Sequence, residues 1–225
     1  MTRILLTGLA IALSASWAAF AWAQVPAAVV EEVSGTPPGV EFMDYVAAGK
    51  VIKLGPRDTI VLGYLKSCWR ETITGGTVTV GSDQSTLVGG KLERSQVQCS
   101  GGQMQLASEQ AVQSAGYVSR EIAKPNAKPK LQRPRAFLYS RLPIIELGGP
   151  GKLLIERIDA PSEKYEIVVG PRELVRGSFF DFARARRILS AGGLYRATFG
   201  TKQIVFKVDE AAPAVGPVVA RLLRF

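Results

Sequence analysis

The chain predicts an all-β fold in two units. The first is a small roll or barrel-like domain stapled by a disulfide, the second a sandwich, with one or two short helices added. Three observations carry this. Short runs of β formers alternate with glycines, the pattern of antiparallel strands joined by tight turns. Pro125, Pro129 and Pro134 fall close together and divide the chain, since so dense a proline run excludes a regular helix and favours an extended spacer. The only cysteines are Cys68 and Cys99, an even pair inside the first half.

Residues 1–23 read as an export signal. Arg3 supplies the positive start, Ile4 to Phe20 is nearly uncharged and apolar, and Ala21-Trp22-Ala23 has the small-x-small form of a cleavage site, with Gln24 as the mature N-terminus. An uncleaved anchor is the alternative, because the apolar run is nearly long enough to span a bilayer. The cleaved reading places the protein in the periplasm or outside the cell. A single arginine favours the general export route over the twin-arginine one. In that oxidising place Cys68 and Cys99 are expected to form a disulfide, worth about 3.5 kcal/mol by loop closure. A redox or metal pair would want a C-x-x-C spacing or histidine partners, and the sequence has no histidine.

Residues 24–38 read as a loose leader, in which AVVEEV is a strand or a short helical turn. The Gly-rich β domain covers 39–120, with β-forming runs VEFMDYV, KVIKL, DTIVLGYL, WRETIT, TVTV and KLERSQVQC. LASEQAVQSA, capped by Ser108, is its helix candidate. Between Gly49 and Leu87, GKVIKLGPRDTIVLGY followed by GGTVTVGSDQSTL resembles the periplasmic β domain of FecR-like proteins. That resemblance implies a noncatalytic signalling or scaffold role.

The linker, 121–136, carries Lys124, Lys128, Lys130, Arg133 and Arg135 against a single acidic residue. The unit at 137–225 opens with three strand runs, RLPIIEL, KLLIERI and KYEIVVG. SFFDFARARRI is compatible with a strand or a short helix over 178–188. Leu189, Gly192 and Tyr195 then match the tyrosine corner of immunoglobulin-like and fibronectin-type sandwiches, in which a tyrosine entering the penultimate strand bonds back across the turn. The resemblance implies YRATF as that strand, GTKQ as a hairpin and IVFKVDE as the last strand. Val218, Leu222 and Phe225 recur at helical spacing, so the tail predicts a short docking helix.

Chemistry is sparse. The absence of histidine removes the commonest general base and metal ligand, and with them the Ser-His and Cys-His triads. GGPGK at 148–152 is not a phosphate loop: Leu153 stands where Ser or Thr would bind magnesium, and an exported protein meets no nucleotide. Glu31-Glu32 and Asp209-Glu210 are sequence neighbours, which point apart in a strand. No catalytic residue, cofactor or metal is expected. The charge of +9 is concentrated in the linker and the C-terminal unit. Lys124 to Arg135 together with Arg184, Arg186 and Arg187 are candidates for meeting an envelope protein, an anionic polymer or a lipid surface; the alternative is a solvated basic face. Nucleic acid is not an expected partner, since export removes it and stacking aromatics are not interleaved with these charges. The expectation is an exported noncatalytic binding or scaffold module of the bacterial envelope, with a carboxylate-based hydrolase as the alternative.

Overall fold

The computed structural model describes residues 25–37, 39–100, 133–160 and 163–225. The export signal, the helix candidate at 106–115 and Lys124, Lys128 and Lys130 lie outside the described residues. Within them the fold is all-β.

The first unit is one antiparallel sheet built from β1 (Pro26–Ser34), β2 (Tyr45–Ala47), β3 (Val51–Tyr64), β4 (Trp69–Thr79), β5 (Thr86–Val88) and β6 (Lys91–Gln96). The order is β2-β1-β3-β4, with β5 and β6 following one another along the far edge of β4. The segment read as a loose leader is therefore an interior strand. Its apolar run explains why: Ala28 and Val30 enter this unit's core while Val29 is buried on the opposite face. A strand covered on both faces is apolar throughout, without the alternation that marks a half-buried strand.

Glycines within these runs bend strands instead of ending them. KVIKL and DTIVLGYL are one strand, β3, with a bulge between Leu54 and Thr59. There the Asp58 carboxylate accepts from the Gly55 N–H at 2.9 Å and the Thr36 N–H at 3.2 Å. WRETIT and TVTV are likewise one strand, β4, running through Gly75-Gly76, and Gly89-Gly90 joins β5 to β6 beside them. Gly76 and Gly90 have φ of 83° and 77°. A Cβ on either would collide with carbonyl oxygens of the adjacent strand. The bend folds the sheet over a core that includes Ile52, Ile60, Leu62, Tyr64, Ile73 and Val78. The disulfide between Cys68 and Cys99 ties the β3–β4 turn to the chain just past β6.

The second unit has two sheets. One has the order β10-β9-β13-β14-β7, from β7 (Ala136–Leu138), β9 (Gly151–Arg157), β10 (Lys164–Val169), β13 (Leu194–Phe199) and β14 (Lys202–Val208). The other is β11-β12-β8-β15, from β8 (Ile144–Glu146), β11 (Leu174–Val175), β12 (Phe179–Asp181) and β15 (Leu222–Arg224). The ambiguous stretch over 178–188 is the short strand β12 followed by a tight turn. The tail is not a helix as far as Phe225. A four-residue helix, α1 (Val218–Arg221), leads into β15, which pairs in parallel with β8.

That small second sheet is a middle layer. Ile145, Phe180 and Leu223 point into the sandwich core with Ile155, Tyr195 and Phe206. Their neighbours Ile144, Phe179 and Leu222 point the other way and pack on Val29 and Met43 of the first unit. The alternation of a strand thus puts each face of the sheet on a different core. The two units are in contact through this shared cluster. Ser100 Oγ bonds the Phe137 carbonyl and accepts from the Phe137 N–H at 3.0 Å, which joins the end of the first unit to β7 of the second.

Candidate functional site

Four buried charged groups lie among the described residues, and each is committed to structure. Glu31, 3% exposed, accepts from the Val219 N–H of α1 at 2.7 Å and from Arg70 Nε at 2.8 Å. Burial pushes its carboxyl above the usual range, a rise that the Val219 and Arg70 hydrogen bonds only partly oppose. Gly63 leaves the room: a Cβ there would collide with Glu31 and come within 3.1 Å of Val219. Glu71 is fully buried, bonded to Arg94 Nε at 2.7 Å and to the Ser85 N–H at 3.1 Å. Beside it Tyr64 OH and Ser85 Oγ are 2.7 Å apart, and burial pushes the Tyr64 hydroxyl up to about 12. Arg221 meets Asp181 and the Leu142 carbonyl under α1.

Each of the adjacent carboxylates has a partner. Glu31 and Glu32 both hold Arg70, one from inside and one from the surface. Glu210 pairs with Lys207, while Asp209 accepts from the Ala211 N–H.

Tyr195 is fully buried at the start of β13. Its hydroxyl accepts from the Ser190 N–H at 2.9 Å and donates to Glu163 Oε2 at 2.7 Å. Its ring stacks on Phe206, centroids 5.5 Å apart. Leu189 is buried beside it, and Gly192 takes φ of 72° in the turn. Glu163 is the partner that sequence did not reveal. It lies 32 residues upstream, a separation at which no local spacing rule operates.

The candidate basic residues do not converge. Arg135 donates its N–H to the Val205 carbonyl, and β7 runs parallel to β14, so Arg133 and Arg135 lie toward the Lys202 end of that strand. Arg184, Arg186 and Arg187 lie beyond the opposite end, in the turn after β12 that leads to Tyr195. The turn is closed by the Ala185 and Arg187 N–H groups on the Asp181 and Phe182 carbonyls, and by the Ala183 N–H on the Asp181 carboxylate at 2.9 Å. Arg186 adopts φ of 52°, a conformation that costs a residue other than glycine about 1–2 kcal/mol. Arg187 lies 6.0 Å over the Tyr165 ring. None of the three has a carboxylate partner among the described residues, and all three are exposed.

A second exposed feature escaped the sequence reading. The far edge of β6 pairs with no strand among the described residues, and every residue of β6 except Leu92 is exposed. Beside it the bend opens a concavity of about 640 Å³ lined by residues such as Leu87, Gly90, Leu92 and Arg94. In sequence KLERSQ reads as an ordinary strand, and only the topology makes it an edge. The chain matches no family model, no curated protein and no solved structure.

Proposed function

We infer that the protein is an exported, noncatalytic binding module of the bacterial envelope that holds an anionic partner on the Arg184–Arg187 turn. The observation that carries this is the turn itself. Three arginines without carboxylate partners project from a five-residue loop that backbone hydrogen bonds hold in one shape, at some cost in backbone strain. A preformed cationic turn loses little entropy on meeting an anion, and the strain is spent where charge is displayed. The disulfide is compatible with the export signal read at residues 1–23. The strand order β11-β12-β8 facing β10-β9-β13-β14, with β7 parallel to β14, supports the immunoglobulin-like reading of the second unit, a scaffold that presents loops at its ends. The FecR-like reading of the first unit rests on residues 49–87 alone, and with it any signalling role.

Co-sedimentation with vesicles containing anionic lipid, and titration with a soluble acidic polymer, test the proposal. Each surface charge near an anionic membrane contributes roughly 1 kcal/mol, so R184A/R186A/R187A should lose tenfold or more in affinity, and added salt should weaken the wild type. Unchanged binding in the triple variant, or loss confined to R133A/R135A, would remove the turn from the function.

A further inference from the structure

We propose that β6 is the contact edge of a symmetric dimer, in which Lys91–Gln96 of two copies pair antiparallel about a two-fold axis through Leu92. The direction of the backbone groups comes first. Val97 N–H bonds the Cys68 carbonyl, and Trp69 lies opposite Gln96, so the odd-numbered residues of β6 direct their N–H and C=O groups toward β4. Leu92, Arg94 and Gln96 direct theirs outward, to an edge that no strand occupies among the described residues. Such an edge is a template for a further strand, and the sequence on it decides which one.

The side chains select a second copy in a single register. Lys91 and Glu93 share one face, 75% and 61% exposed at the side chain, and within one copy they pair with each other at 2.5 Å; across the axis each gains a second, opposite charge. Centring the axis on Leu92 makes Leu92 a hydrogen-bonded pair with Leu92 of the second copy. It also sets Lys91 opposite Glu93 of the second copy, and Glu93 opposite its Lys91, in the more closely spaced non-hydrogen-bonded pairs. Arg94 then faces Gly90 of the second copy, which has no side chain to obstruct it. Moving the register one step in either direction sets Lys91 against Lys91 or Glu93 against Glu93, and like charges directly opposite are destabilising. Leu92, which already packs against the first core, joins its counterpart beside the concavity. The arrangement sets two Arg184–Arg187 turns on one assembly, so a surface that binds one would bind two with raised avidity.

Sedimentation equilibrium of the purified full chain, taken over a dilution series, tests this. A monomer–dimer equilibrium is expected. Lys91→Glu or Glu93→Lys, each turning two attractive pairs into repulsive ones, should weaken it about tenfold. The exchange K91E/E93K restores opposite charges across the axis and should recover dimerisation. A monomer at every concentration, a dimer indifferent to the single reversals, or an exchange variant no better than the single ones would each overturn the proposal. R184A/R186A/R187A should dimerise as the wild type does, which separates this edge from the anion-binding turn.

Discussion

At the scale of single residues, two glutamates have opposite consequences for stability. Burial raises Glu31 above its ordinary value of 4.5, so its folded form holds a proton more tightly than the unfolded chain does. Its contribution is therefore full below pH 4.5 and is lost as pH rises through the folded value. Burial also pushes Glu163 upward, but hydrogen bonds from Tyr195 and Ser190 outweigh it and the net shift is downward. Glu163 contributes above pH 4.5 and loses that contribution as pH falls through its folded value. Urea unfolding across this range should find that Glu31→Gln removes a falling slope and Glu163→Gln a rising one. Tyr195→Phe deletes the hydroxyl that binds both Glu163 and Ser190; a loss of about 1.5–3 kcal/mol is expected in the same measurement. Arg186→Gly should separate strain from charge. It relieves the positive φ, raising stability by up to about 1 kcal/mol, while anion binding falls.

Among elements, the glycine seam decides the shape of the first unit. Gly76→Ala or Gly90→Ala puts a methyl group against carbonyls of the neighbouring strand at positive φ, with no flexible side chain to yield. A loss of about 2 kcal/mol or more is expected, read as a lower urea midpoint. The same change at Gly149 meets nothing within 4 Å and should be nearly silent. The seam was half legible in the sequence. The spacing marks the glycines as punctuation, but whether a glycine ends a strand or bends it depends on what lies on the adjacent strand. Gly63 gave a plainer signal, since an isolated glycine inside DTIVLGYL marks a close approach. The approaching groups, Glu31 and Val219, are far away in the chain.

The whole molecule is held by a seam that joins both units. Phe179 meets Tyr45 edge-on at 5.7 Å and shares a cluster with Val29, Met43 and Leu222. Glu146 receives Tyr45 OH at 2.7 Å and Arg224 Nε at 3.1 Å, and Arg176 holds Glu41 and Asp44. An apolar interface reinforced by charge-assisted bonds should make the units unfold together. Calorimetry of the wild type should give one transition. Phe179→Ala, losing about 3–5 kcal/mol from the seam, should split it in two; two transitions in the wild type would show the units to be independent.

The class of the fold, the disulfide and the place of the Tyr195 turn are legible in the chain alone. Each is written in neighbouring residues or in a pair of cysteines with no competitor, and local rules suffice for such features. Strand pairing across the fold makes β1 interior, leaves β6 an edge among the described residues, and buries Glu31, Glu71 and Asp181 beside their partners. It also sets the basic linker residues Arg133 and Arg135 apart from the arginine turn. Those outcomes depend on which strands become neighbours, a choice made by burying apolar faces across long separations in the chain. No spacing of residues along one strand records it.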